Sequence, residues 1–396
     1  MIKHKHAVFS WVIFFLVFWF VFICAHHLYQ QRPLWNDEEA VFQSVQNFSA
    51  KEMFGRELMA FQVFPRAYLF VIQQFARLFD FAIWALRLPS FICMIAAFFL
   101  WLKIGRIAIK DRWQYLAFVM SWPAAGLMLY YSAELKQYSM DVLAAALFVL
   151  FLYRQEDLSR DKPKQYLLAL IFLPVLGLFS HPAFFLAPLP LYNLVVLAMK
   201  QRKGWQHLAV YGLSFIVVLV LSYSFDIRHR PVMTVTKEWG DYFMSFATVP
   251  EFFRSLTEGI NNLFSRWFVE YPKYFKSIGR IFLGWGLINL FYAFFANRKK
   301  EGGYLRSLNT IAFVLFLEMF LMGCLKKYPF TVPRTSLFYA PIVFYLTATG
   351  IGLAYRVHPY LYRLIMNLYF IFLGFLIIMH SFVAFYWILG FYPRIW

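Results

Sequence analysis

The sequence predicts an all-α polytopic membrane protein with about eleven spanning helices, and three observations predict it. Hydrophobic residues make up 62% of the 396 residues and charged ones only 15%, against roughly 45–50% apolar content in a soluble domain. The apolar runs approach the about 20 residues a helix needs to cross hydrocarbon, where backbone amides must be satisfied within the segment. Basic residues collect between alternate runs, as they do in cytoplasmic loops.

Taken in chain order, the expected spans are 7–28, 88–104, 113–130, 141–153, 166–180, 183–199, 208–224, 279–296, 306–323, 336–354 and 364–390. The first follows Lys3, His4 and Lys5. It is too long for a signal-peptide core and lacks a small-residue cleavage site, so it is expected to remain as a span. With the N-terminus cytoplasmic, every cytoplasmic connection is basic. They carry Lys103, Arg106, Lys110 and Arg112; Arg154, Arg160, Lys162 and Lys164; Lys200, Arg202 and Lys203; Arg298, Lys299, Lys300 and Arg306; and Arg356 and Arg363.

This topology depends on the stretch Phe64–Phe81, which is apolar but also carries Arg66, Gln73, Gln74, Arg77 and Asp80. It is expected to be an interfacial or re-entrant helix. Counting it as a span would invert every later loop and put the basic clusters outside, against the positive-inside bias. One membrane domain then covers 1–396, with two large outer segments at 29–87 and 225–278 and no soluble C-terminal domain.

Composition also excludes some functions. The 50 Phe, 25 Tyr and 13 Trp lie inside apolar runs or at their ends, as lipid-facing and belt residues do, so nucleic acid is not an expected partner. Cys24, Cys93 and Cys324 have no paired spacing in a polar loop, which gives neither a disulfide framework nor a metal motif. The net charge of +18 reflects cytoplasmic anchors and anion sites.

Chemistry concentrates on the outer side. Directly after the first span come Asp37, Glu38 and Glu39. Clustered carboxylates can raise one pKa for proton abstraction or hold a divalent metal, although acids also suit the first turn of a helix. Between the third and fourth spans lies Tyr130–Asp141, in which Glu134, Tyr138 and Asp141 share a helical face. The segment Lys326–Thr335 carries Lys326, Lys327 and Arg334 outside, against the positive-inside bias; such cations suit a lipid phosphate or snorkel to headgroups. His181 occupies a short outer turn. Arg87 and Glu318 are ionisable groups near or within lipid and each needs a partner; Lys326 or Lys327 is the expected one for Glu318.

These residues resemble the GT-C superfamily of polyprenyl-phosphate-sugar transferases, especially the protein O-mannosyltransferases and lipid A aminoarabinose transferases. The resemblance rests on Asp37-Glu38, on Ala85 to Ser90 (ALRLPS), on Tyr131 to Tyr138 (YSAELKQY), and on Tyr328-Pro329-Phe330 followed by Arg334 and by Leu337 to Pro341 (LFYAP). Two departures stand out: Lys136 where Arg is common, and Glu39 as a third acid.

The resemblance implies an inverting transfer of a sugar from a polyprenyl-phosphate donor to a lipid, glycan or protein acceptor on the extracytoplasmic face. It places Asp37 as catalytic base with Glu38 beside it. Lys326, Lys327, Arg334 and Arg87 become the expected phosphate ligands, and Glu39, Glu134, Lys136, Tyr138, Asp141 and His181 line the acceptor side. A divalent metal, if one is used, would sit on Asp37 and Asp141. The expected location is a bacterial inner membrane, with the endoplasmic reticulum as the alternative. Two other readings stay open: an oligosaccharide ligase or polymerase using lipid diphosphates, and a transporter or flippase. Transporters tend to carry ionisable groups at mid-bilayer and inverted repeats.

Overall fold

A computed structural model of the chain describes residues 2–200, 204–230, 243–265, 267, 273–297, 305, 307–329, 332 and 334–388. The basic positions Arg202, Lys203, Arg298, Lys299, Lys300 and Arg306 lie outside the described residues. The described chain is helical, with no strand.

In order, the helices are α1 (Ile2–Tyr29), α2 (Asn36–Asn47), α3 (Ala50–Gly55), α4 (Arg66–Leu78), α5 (Ile83–Ala108), α6 (Arg112–Ala124), α7 (Gly126–Tyr131), α8 (Tyr138–Asp161), α9 (Pro163–Phe172), α10 (Ala183–Leu186), α11 (Pro188–Lys200) and α12 (Gly204–Phe225). Then come α13 (Val249–Ser265), α14 (Lys273–Asn297), α15 (Leu308–Cys324), α16 (Ala340–Ile351), α17 (Ala354–Val357) and α18 (Pro359–Ile388). Short 3-10 turns lie at Met59–Phe61, Pro174–Leu178, Ile227–His229 and Arg334–Tyr339.

Each expected span falls on helix, but among the described residues eight helical segments are long and apolar enough to cross a membrane. The other three expected spans are short or broken. The run 113–130 splits into α6 and α7 at Ala125, whose φ of −90° and ψ of 96° are not helical. Pro123 just before it lacks an amide hydrogen to continue the helix ladder. The run 166–180 ends its α-helix at Pro174 and finishes as a 3-10 turn, and α15 has 17 residues.

The stretch 64–81 forms α4, whose 13 residues extend about 20 Å, short of the roughly 30 Å hydrocarbon core. Its polar groups are spent on the preceding chain. Gln73 Nε2 donates to Val45 O at 2.8 Å and Phe48 O at 2.7 Å, Arg77 Nη2 to Phe48 O at 3.1 Å, and Arg66 Nη1 to Met53 O at 3.0 Å. Its apolar face joins Val41, Val45, Met53, Leu86 and Leu135 in a small core separate from that of the bundle. The segment between α1 and α5 is therefore a packed unit seated on α5.

Two helix pairs make the most extensive contacts in the bundle, α5 with α8 and α14 with α16. Gly350 permits the second, because a Cβ there would stand 2.3 Å from Trp285 O. The expected pairing of Glu318 with Lys326 or Lys327 is not found among the described residues. Lys326 adopts φ of 54°, which reverses the chain at the end of α15, and Glu318 Oε2 has no hydrogen bond.

Candidate active site

Asp37 and Glu38 are adjacent in the first turn of α2, where the positive helix end favours carboxylates. Successive helical positions point in different directions, and the two acids meet different neighbours. Glu38 faces inward and is fully buried. Its Oε1 accepts from Arg87 Nε at 2.9 Å and from the Leu135 amide at 2.7 Å. Its Oε2 accepts from Arg87 Nη2 at 2.6 Å and the Trp35 amide at 3.4 Å. Arg87, also fully buried, gives Nη1 to Arg32 O at 2.8 Å. The guanidinium expected to bind phosphate is thus spent inside the protein, locking α5 to the loop and the 131–138 turn.

Asp37 faces the open side. Its Oδ2 accepts from Arg334 Nη1 at 2.7 Å, and Lys136 Nζ stands 3.9 Å from the same oxygen. Both Asp37 and Arg334 keep more than a quarter of their side chains exposed. The other oxygen, Oδ1, has no hydrogen bond among the described residues. Arg334 opens the 3-10 turn Arg334–Tyr339, so two loops 297 positions apart in sequence meet at this carboxylate.

The 131–138 turn is held from below: Ser90 Oγ donates to Lys136 O at 2.9 Å and bonds the Tyr68 hydroxyl at 3.1 Å. Glu134 is fully buried. Trp35 Nε1 donates to its Oε1 at 2.8 Å, whereas Oε2 is unpaired. Burial, then the charge of Glu38, push the Glu134 pKa up to about 7. The Lys136 pKa is lowered by burial, against the opposing pull of Asp37 and Glu134. Tyr138 meets Tyr131 edge to face at 4.9 Å. Asp141 is buried in the first turn of α8, with Oδ1 unpaired.

Other expected residues go elsewhere. Glu39, Lys326 and Lys327 are exposed; the cations that reach Asp37 are Arg334 and Lys136. His181 belongs to a second polar cluster around buried Asp226. There His181 Nε2 lies 2.7 Å and Arg230 Nη2 2.6 Å from Asp226 Oδ2, with Arg66 Nε 3.7 Å from Oδ1. Burial, followed by the charge of Arg230, lowers the His181 pKa. The surroundings do not fit a divalent metal on Asp37: Arg334 occupies its Oδ2 with Lys136 a further positive charge 3.9 Å away, and no group of three or more His, Cys, Asp or Glu gathers among the described residues.

Four residues that the sequence did not mark as site residues also enter these clusters. Arg32 lies 3.8 Å over the Tyr130 ring, Gln62 accepts from Lys136 Nζ at 2.9 Å, and Arg66 and Arg230 hold Asp226.

Residues 65–223 match the family model of dolichyl-phosphate-mannose-protein mannosyltransferase, of the GT-C superfamily. The match, over less than half of the chain, supports a membrane glycosyltransferase of the GT-C type. Neither the curated proteins nor the solved structures gave a match. The GT-C match takes in α4 to α12 and so includes Arg87, Glu134, Lys136, Tyr138, Asp141 and His181. Asp37 and Arg334 lie on either side of the matched GT-C stretch, and the fold brings them to it.

Proposed function

We propose that this chain is an inverting glycosyltransferase that moves a sugar from a polyprenyl-phosphate donor to an acceptor hydroxyl on the extracytoplasmic face, with Asp37 as general base. The observation that carries this reading is the position of Arg334 on one oxygen of Asp37, while the other oxygen has no hydrogen bond among the described residues. A base needs one open lone pair, and a phosphate leaving group needs fixed cations beside it.

In the reaction, Asp37 Oδ1 takes the proton of the acceptor hydroxyl as its oxygen bonds the anomeric carbon. The carbon–oxygen bond to the phosphate breaks, and the polyprenyl phosphate leaves with the bonding pair. Attack opposite the leaving group inverts the anomeric centre. Donor phosphate arriving at Arg334 and Lys136 competes with Asp37 for these cations, so donor binding frees the base. Arg87 and Glu38 are assigned here as the frame that aims Asp37, and Lys326 and Lys327 as exposed charges that attract the anionic headgroup to the rim. The basic connections at Lys103–Arg112 and Arg154–Lys164 support a cytoplasmic side opposite this site. The matched family, named for dolichyl-phosphate-mannose, supports a lipid-linked donor.

Purified protein in nanodiscs, given dolichyl-phosphate-mannose and a hydroxyl acceptor peptide, tests the reading. Wild type is expected to release dolichyl phosphate, and Asp37→Asn to lose about 10²–10⁴-fold in rate. Near-normal turnover by Asp37→Asn removes the base assignment, and release only from diphosphate donors replaces the donor class.

A further inference from the structure

Lys136 is the less conventional of the two cations at Asp37, because its ammonium does not touch the carboxylate. It is 6% exposed and stands 3.9 Å from Asp37 Oδ2, beyond hydrogen-bond reach, while donating to Gln62 Oε1 at 2.9 Å. An ammonium can only donate, so the amide oxygen of Gln62 must face it. Besides Gln62, the ammonium feels Asp37 and Glu38 of α2, Glu134 of its own turn and Arg334 of the 3-10 turn.

Gln62 is delivered by a tied segment. It caps the 3-10 turn Met59–Phe61, in which Ala60 has φ of 52° and ψ of 33°, a left-handed conformation that side chains with a Cβ rarely adopt. The Gln62 amide nitrogen donates to Ala60 O at 3.4 Å. Buried Ser44 of α2 accepts from the Met59 amide at 2.9 Å. One helix, α2, therefore carries Asp37 in its first turn and anchors the turn that presents Gln62. A strained backbone held in place by packing usually serves a site.

We propose that Gln62 is a positioning residue whose side-chain oxygen holds the Lys136 ammonium beside Asp37 but out of contact with it. Held there, Lys136 keeps N–H groups for an incoming phosphate and does not close on the Asp37 carboxylate. This assignment rests on the transferase reading for its purpose but not for its geometry. Without the Gln62 oxygen, the carboxylate within ion-pair range of the nearly buried ammonium is Asp37, and direct pairing raises the amine pKa.

Two measurements on the full chain in nanodiscs test it. The first is trace reductive methylation by formaldehyde across pH, read by mass spectrometry at the peptide containing Lys136. In Gln62→Leu the labelling midpoint is expected to rise by on the order of one pH unit as the amine closes on Asp37. A midpoint that falls, as it would on simple loss of an acceptor, or one that stays put, overturns the clamp. The second is the pH profile of mannose transfer from dolichyl-phosphate-mannose. Its acid limb should move to lower pH in Gln62→Leu, with turnover down about tenfold. In Gln62→Glu, which keeps the oxygen and adds a negative charge, the limb should move to higher pH with turnover within a few fold of wild type. Parallel shifts in both variants would reduce Gln62 to a structural residue. A wild type inactive towards this donor would fail the transferase reading, while the labelling result still decides the clamp.

Discussion

Glu38 and Arg87, 49 positions apart, form a two-pronged ion pair with both side chains fully removed from solvent. Burying a carboxylate and a guanidinium is tolerable only because their remaining groups are also satisfied, by the Leu135 amide and by Arg32 O.

Removing one partner should therefore cost more than removing both. Arg87→Ala is expected to destabilise the protein by about 3–5 kcal/mol, and the double variant Glu38→Leu with Arg87→Met to recover most of that loss. Thermal unfolding in detergent checks this. A single Arg87 variant as stable as wild type would mean the pair does not frame the loop.

Arg334→Ala should reduce kcat/KM for a lipid-phosphate donor by about 10²–10³-fold, the usual scale for deleting one donor to a developing charge. Arg334→Lys should retain part of the activity, since Arg334 meets Asp37 through Nη1, a single-point contact an ammonium can replace. Steady-state kinetics over a range of donor concentration make the comparison, and donor kinetics unchanged in Arg334→Ala would take this residue out of the phosphate site.

Glu134 predicts a dependence of stability on pH. Its carboxyl goes from an ordinary 4.5 to about 7 in the folded protein. A raised pKa means that the folded state holds the proton more tightly, so its contribution is full below about 4.5 and lost as pH rises through about 7. Glu134→Gln, which mimics the protonated form, should be more stable than wild type above pH 7 by about 3 kcal/mol at most, with little difference at pH 4.5. Melting curves across that window provide the measurement; a constant difference at all pH values would remove the effect.

At the second cluster, Asp226→Ala should leave Arg66 buried without its counter-charge and lower stability by about 3–5 kcal/mol. His181→Gln should be milder, because the lowered His181 pKa keeps the ring neutral near pH 7. Comparing the two melting temperatures ranks the contacts, and a larger loss for His181→Gln would contradict this ordering.

Much of this arrangement was legible before folding. Apolar runs locate helices because lipid leaves the backbone no other partner. The polar residues of 64–81 marked it as something other than a span, and α4 indeed uses Gln73 and Arg77 to hold the α2–α3 connection. Asp37 and Arg334 stood out as charges beside apolar runs, and the fold brings them into contact. Span lengths were less legible, since a break such as that at Ala125 depends on packing as well as on Pro123. Partnerships were least so. The pairing of Arg87 with Glu38, or of Gln62 with Lys136, follows from how α2, α5 and the 131–138 turn are packed, and a lone Gln in a loop carries no periodic signal.

A helix turns by about 100° per residue, so the neighbours Asp37 and Glu38 cannot exchange duties. Shifting the register of α2 by one position would bring the caged acid into the open and drive the working one into the interior. An insertion or deletion of one residue within α2, between Glu39 and the core residue Val41, should thus abolish sugar transfer even where both acids, and every residue they touch, are retained.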